Sequence, residues 1–340
     1  MGYAVVMGEA LIDLLESRIG ESRIGEGQIG EGRIGEGRIG EGQPDGDLIY
    51  RQAIGGAPLN VAVGVTRLGG DVRYAGALST DVLGDRIAAF LRQAGVGLAA
   101  AKRVTVPTTL AVTTFEGAEP TFTFYGEPPS YALLTPADLE PGLVAGASVL
   151  YAGSICLLRE PFRSAARAAW QTPGPLRVFD PNVRPTLLPD AAAVAALRDL
   201  VEEFFATADL VKLSSADAEV LYDLPTPAAA ADRILALGAR AVVVTCGAKG
   251  AYVATAEGAT MLDAPSVNAI DATGAGDSVM GALISRLLAG GRPAGLDGWQ
   301  QNVRFALAVA GLVCERPGGA TAMPTMDELT ERWGALLQQP

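Results

Sequence analysis

Short apolar runs alternate along the chain with segments whose apolar residues recur every three to four positions. The runs at Ala4–Met7, Val72–Ala75, Val149–Ala152, Arg177–Asp180, Leu210–Leu213 and Ala241–Thr245 predict strands. Helical patterns fall between them, so the order reads as βαβ units around a mainly parallel sheet, an α/β fold. Pro58–Leu68 predicts a helix with Pro58 in its first turn and Gly69-Gly70 at its end. Asp277–Ala289 predicts another, with Val279, Met280, Leu283, Ile284, Leu287 and Leu288 along one face.

Two stretches break this alternation. Leu48–Ala53 and Thr108–Tyr125 carry alternating, β-branched or aromatic residues with no helix between strands, and the second reads as a hairpin turning near Glu116–Pro120. They predict a small sheet outside the main one, with strands at about 9–16, 48–54 and 106–126. Such a sheet is suited to cover an active site as a lid, although an ordinary edge hairpin has the same pattern. All 340 residues are read as one domain.

Residues 17–41 are five copies of a pentad, SRIGE SRIGE GQIGE GRIGE GRIGE. A period of five keeps no face apolar in either a helix or a strand, and the frequent glycines loosen the backbone. The expectation is a flexible surface insertion over 17–42 within the lid region; a partner-binding segment or an assembled β-layer is the sharper alternative.

Charge and composition narrow the chemistry. The formal charge is −12 and no basic stripe is present, which argues against a nucleic-acid partner. Histidine is absent. That removes His-based triads and His metal sites and leaves acid–base work to Asp, Glu, Lys, Tyr or Cys. Cys156, Cys246 and Cys314 stand far apart without CxxC spacing and read as free thiols of a cytoplasmic protein. The start, MGYAVVMGEALIDLL, lacks a basic leader and reads as a core strand rather than a signal peptide. The longest apolar stretches are too short to span a membrane.

The segment that carries chemistry is Asp271-Ala-Thr-Gly-Ala-Gly-Asp277, which runs straight into the amphipathic helix. Small residues let successive amides point into one hollow, and the helix N-terminus adds its dipole. Together they suit a phosphate, or the charge on a phosphoryl group in flight. Asp277 at the end of this loop can accept a hydroxyl proton, with dipole and amides keeping it ionised; a plain helix cap is the alternative. The loop lacks the GK[ST] of a Walker A motif and is a poor dinucleotide fingerprint.

DATGAGD closely resembles the C-terminal signature of the ribokinase-like (PfkB) carbohydrate kinases. GGAPLNVAVGVTRLGG, residues Gly55–Gly70, resembles their N-terminal signature, in the same order and separation. The resemblance covers the whole chain except the pentads and is nearest the fructokinase branch. It implies a three-layer sandwich with a mainly parallel central sheet and a small β-sheet lid. Asp277 matches the catalytic base, and the amides of Gly274, Ala275, Gly276 and Asp277 match the anion hole. Gly55, Gly56, Asn60 and Asp13 match the sugar-binding pattern. Asp180-Pro-Asn-Val-Arg184 resembles the DPNxR element, which sets Arg184 near sugar and phosphate.

For the nucleotide, Thr245-Cys-Gly247-Ala-Lys-Gly250 resembles the T-x-G-x-x-G loop. Lys212, Thr245, Gly247, Gly250, Gly274, Gly276 and Asn302 are the expected ATP contacts, with Ala306 and Ala310 near the adenine; core packing is the alternative for the last two and Asn302. Lys212-Leu-Ser-Ser-Ala-Asp217 resembles the stretch that organises Mg²⁺ through water, with Ser214 in place of Asn and Asp217 in place of Glu. The family often uses a monovalent cation such as K⁺, for which Asp271 and Thr273 match and the loop Arg316–Gly319 would supply carbonyls.

The activity implied is transfer of the γ-phosphate of ATP to a sugar hydroxyl. Fructokinase-like activity is the first reading and a 2-keto-3-deoxygluconate or other PfkB sugar kinase the second. A catalytically silent sugar-binding regulator is the alternative of another class. The FYR-like stretch of relatives reads Phe124-Tyr125-Gly126-Glu127, without its Arg. Lid sheets in this family often build a dimer interface, so the expected partners are sugar, ATP and a second copy of the chain.

Overall fold

The computed structural model describes residues 2–18, 48–116, 119–140 and 142–337. The chain opens with β1 (Tyr3–Met7), β2 (Leu11–Arg18), β3 (Leu48–Gly55), α1 (Ala57–Arg67), β4 (Asp71–Ala75), β5 (Ala77–Ser79) and α2 (Val82–Gln93). It continues with β6 (Lys102–Val104), β7 (Leu110–Glu116), β8 (Glu119–Tyr125), β9 (Val149–Gly153), α3 (Phe162–Gln171), β10 (Leu176–Asp180) and α4 (Ala191–Phe205). It closes with β11 (Leu210–Ser214), α5 (Ser215–Tyr222), α6 (Pro227–Leu237), β12 (Ala241–Thr245), β13 (Ala251–Thr255), β14 (Gly258–Leu262), α7 (Ala275–Gly290), α8 (Leu296–Cys314) and α9 (Met326–Leu337).

The main sheet has the order β14-β13-β12-β11-β10-β9-β1-β4. From β4 to β12 the pairings are parallel, which requires crossovers and therefore helices on both faces. Alternate strand residues enter two separate cores. Ala4, Val6, Val149 and Tyr151 pack with α1, α7 and α8. Val5, Met7, Leu150 and Ala152 pack with α3, α4 and α6. The result is three layers, and the six strands expected from the sequence are all present to within a residue or two. The antiparallel hairpin β13–β14 was not anticipated. It follows directly on the glycine loop after β12, which drew attention as a ligand loop rather than as the turn between two paired strands.

A second sheet of four strands, β3-β2-β7-β8, stands apart. β1 passes into β2 through Gly8–Ala10, so this sheet rises from the C-terminal end of a strand next to the sheet edge, on the side where open α/β sheets bind ligands. β2 begins at Leu11 rather than near residue 9. Gly8 holds a φ of 153°, and its carbonyl accepts the buried Tyr74 hydroxyl at 2.7 Å, which spends residues 8–10 on the bend. Only Ser17 and Arg18 of the pentads fall on β2, opposite Ile49 and Leu48. The expected flexible insertion otherwise lies outside the described residues.

α1 and α7 cross in close contact. A Cβ on Gly281 would lie 3.2 Å from the Val61 carbonyl oxygen and 3.4 Å from the Gly64 Cα. That approach sets the two signature segments side by side. Gly281→Leu should therefore lower unfolding free energy by about 1–3 kcal/mol through overpacking, read from denaturant midpoints. An unchanged midpoint would show that the crossing tolerates separation.

Candidate active site

The loop before α7 folds against the loop after α8. Gly274 adopts φ 79°, and a Cβ there would meet the Gly319 Cα at 2.8 Å. The two loops are tied by Asp271, whose Oδ1 accepts the Thr273 amide at 2.8 Å and whose Oδ2 accepts the Gly318 amide at 2.9 Å. Burial would raise Asp271; these bonds, and more weakly the charge of Arg51, hold it below its ordinary value. Asp271 thus ties Thr273 and Gly318 together across the two loops.

The N-cap of α7 is Gly274, with no side-chain cap. Asp277 does not cap its helix. Its Oδ2 instead accepts the Asn60 Nδ2 at 2.7 Å from α1. Burial raises the Asp277 carboxyl, opposed by Asn60 and by the charges of Lys212 and Arg184. A raised carboxylate is a stronger base, and burial here works against the expectation that dipole and amides keep Asp277 ionised. The amides expected to form an anion hole need one correction. The Ala275 amide is turned back to the Ala272 carbonyl at 3.1 Å, so the hollow retains the amides of Gly274, Gly276 and Asp277.

Asn60 presents Nδ2 to Asp277, and its buried Oδ1 has no partner. A buried carbonyl oxygen of this kind calls for a donor such as a hydroxyl. Gly56, with φ 114°, is required by the backbone, and Gly55 makes room for the Asp13 carboxylate. A Cβ on Gly55 would lie 1.9 Å from Asp13 Oδ2, and one on Gly56 would lie 2.6 Å from the Glu9 carbonyl oxygen. Burial pushes Asp13 up to about 6, against the pull of Arg184; Glu9 and Asp277 add to the rise. Arg184 is exposed and donates from Nη1 to Asn182 Oδ1 at 2.6 Å. Asp13, Asn60, Arg184 and Asp277 therefore come together from four distant segments.

Glu9 escaped the sequence reading, although it opens the same GEALIDL stretch. It is buried, and its Oε1 accepts the Ser154 hydroxyl at 2.6 Å. Its Oε2 is unpartnered, and burial raises its carboxyl.

Against the start of α7 lies an ion pair. Lys212 Nζ is 2.7 Å from Asp180 Oδ2, with the lysine side chain 5% exposed and the aspartate 0%. Burial raises Asp180 to about 6, opposed chiefly by Lys212. Burial alone would lower Lys212, but the Asp180 charge wins and raises it. Both partners are thus charged at neutral pH. A Cβ on Gly276 would lie 3.1 Å from Nζ, so Lys212 backs the amide hollow from inside rather than wrapping a phosphate from solvent.

Asp217 departs from expectation. It completes a capping box at α5, taking the Ser214 amide and hydroxyl on Oδ2 at 2.7 and 2.8 Å. Its Oδ1 accepts the Val183 amide at 2.9 Å. This buried carboxylate is occupied in holding the 182–184 turn and does not fit a water-mediated Mg²⁺ role. Among the described residues no group of three or more acidic or sulfur side chains forms a metal cage.

On the nucleotide side, Gly247 has a φ of 57° and open space at its Cα, as a ligand loop needs. Thr245 ends β12 beside it. Gly250 is structural: a Cβ would meet the Leu262 carbonyl oxygen at 2.0 Å. Asn302 is corrected outright. It is buried between α7 and α8, and its Oδ1 accepts Arg286 Nε at 3.0 Å. Ala306 is in the core.

Residues 49–326 match the pfkB family carbohydrate kinase family. The chain belongs to this family. A fructokinase of Klebsiella pneumoniae is 35% identical over 298 residues, covering 84% of this chain and 94% of its own. Fructokinase-2 of Solanum habrochaites is 32% identical over 292 residues, covering 82% and 86%. Among solved structures, fructokinase with bound ATP from Xylella fastidiosa has a TM-score of 0.80 at 27% identity, covering 98% of both chains. Fructokinase from Vibrio cholerae O395, in its fructose-, ADP- and calcium-bound form, has a TM-score of 0.79 at 27% identity, covering 97% and 98%. The pfkB kinase described here is thus an ATP-dependent sugar kinase, with ATP as co-substrate. Among its described residues no helix is long and apolar enough to cross a membrane.

The acidity of Asp13 makes a sign-definite prediction. If its charged form binds the acceptor, kcat/KM for the sugar should fall about tenfold per pH unit below about 6, with kcat at saturating sugar falling less. A profile flat to pH 5 would remove Asp13 from the acceptor site.

Proposed function

We propose that this kinase phosphorylates a ketohexose of the fructose type, with Asp277 as the base. The supporting observation is the position of Asp277 at the third residue of α7. It leaves the helix uncapped, is held by Asn60 at 2.7 Å, and adjoins three amides with no internal partner. In this reading Asp277 takes the proton of the acceptor hydroxyl. The oxygen attacks the γ-phosphorus, the bond to ADP breaks, and the charge on the phosphoryl oxygens is met by the amides of Gly274, Gly276 and Asp277. Asp13, Asn60 Oδ1 and the Gly55-Gly56 backbone hold the sugar, and Arg184 faces both sugar and phosphate.

Thr245 and Gly247 carry the nucleotide in this proposal. Mg²⁺ arrives chelated to the nucleotide rather than seated on Asp217. The converging Asp271 and 316–318 segments support a K⁺ site that steadies the anion-hole loop. Exposed Ile49 and Tyr50 on the edge strand β3 support a homodimer through the small sheet, which serves as a lid.

One observation favours a sugar acid as the second reading. A cavity of about 430 Å³ lies against Phe124 and Gly126, and Arg159 and Arg163 line it. They bring guanidinium groups to the region where the FYR-like stretch lacks one.

A panel of sugars and sugar acids tested for ATP consumption decides between the readings, and no turnover with any would sink both. With the preferred sugar, Asp277→Asn should lower kcat at least roughly 100-fold with ATP and sugar binding nearly intact. A near-normal kcat would take the base role from Asp277.

A further inference from the structure

Arg51 has no role in the motifs above. It lies on β3 directly opposite Leu15, and Ala53 lies opposite Asp13. Opposed side chains in an antiparallel pair share a face, as do residues two apart on one strand. Arg51 therefore stands on the sheet face that carries Asp13, about 7 Å further along the strand. That face looks onto the active site, because it carries Gly55, where a Cβ would lie 1.9 Å from Asp13 Oδ2, and the carbonyl of the adjoining Gly56 accepts the Asn60 amide at 2.9 Å.

The strand is held from behind. Gln52, on the opposite face, accepts Arg86 Nη1 of α2 at 3.1 Å, and Asp81 at the N-cap of α2 takes the Thr108 amide and hydroxyl at 2.7 and 2.6 Å. Arg51 itself is exposed, with no hydrogen bond or ion pair to the described residues. Its charge nonetheless reaches Asp271, the carboxylate that clamps the anion-hole loop.

The local charge balance explains why such a group is needed. Glu9, Asp13, Asp180, Asp217 and Asp277 crowd the site. Of the cations, Lys212 is committed to Asp180 and Arg184 is braced on Asn182 and the Val183 carbonyl. A nucleotide triphosphate adds more negative charge. A guanidinium fork projecting from the small sheet matches phosphoryl oxygens in geometry as well as sign.

We propose that Arg51 is a phosphate-contacting catalytic residue, gripping the phosphoryl group in transfer from the small-sheet side while the α7 amides hold it from below. It moves no proton and forms no bond; it stabilises charge. The inference rests on the sugar-kinase reading.

The test uses the full chain with the sugar and ATP that the panel selects. Arg51→Gln should lower kcat about 100- to 1,000-fold, the scale of losing one donor to transition-state charge. Arg51→Lys should recover only part, since it keeps the charge but loses the fork. Affinity for ADP with aluminium fluoride and sugar should fall in parallel with kcat, while calorimetric affinity for sugar alone stays within about twofold of wild type. A kcat for Arg51→Gln within about threefold of wild type overturns the proposal and leaves the kinase reading standing. So does an equal loss of sugar affinity without nucleotide, which would assign Arg51 to seating the sheet or the acceptor. Absence of wild-type turnover with any acceptor overturns the kinase reading and this proposal together.

Discussion

The hydrogen bond from Asn60 to Asp277 joins residues 217 positions apart, and the site is organised around it. It can form because Gly64 and Gly281 let α1 and α7 approach to near backbone contact. The same approach brings the end of the Gly55-Gly56 turn beside the N-terminus of α7. It turns the Asp277 carboxylate away from its own helix amides, which stay available to a ligand. Gly274 and Gly319 complete the arrangement, since a side chain on either would push the two loops apart or strike Asn60. Small residues at three contacts are thus the condition for one well-placed carboxylate.

Electrostatics run against stability in this site. Burial raises Glu9, Asp13, Asp180 and Asp277, so the folded protein prefers their neutral forms more than the unfolded chain does. The stability that neutral Asp13 lends is fully present below the ordinary carboxylate range and is lost as pH rises through about 6. At neutral pH these charges are a standing cost, offset by Lys212, Arg184 and the hydrogen bonds of the 182–184 turn. Removing one partner of Lys212–Asp180 would leave a buried charge unpaired, which typically costs about 3–5 kcal/mol. That pair supports the fold and lies directly against Gly276 at the start of α7.

Much of the fold was legible in the chain because period two and period 3.6 are local properties. Ala4–Met7 and Ala241–Val244 are apolar throughout, and both faces of those segments are covered. The hairpin β13–β14 was missed because its residues alternate weakly and its edge position is a tertiary fact. The site was legible where a backbone demand selects glycine, as at Gly56 and Gly274. It was misread where only side-chain surroundings decide. Asn302 has the composition of a ligand contact but bonds Arg286 between two helices, and Asp217 is spent on a capping box.

The sequence by itself determined the α/β layering, the two glycine-rich signatures and the candidate base, because spacing and residue type suffice for periodicity, turns and helix starts. Only the tertiary structure decided what each polar group faces. It turned Asp277 to Asn60, spent the Ala275 amide on Ala272, buried Lys212 against Asp180 and set Arg51 on the face of Asp13. Those outcomes depend on helix crossing distance, strand register and burial, and none of these is a property of a residue and its neighbours along the chain.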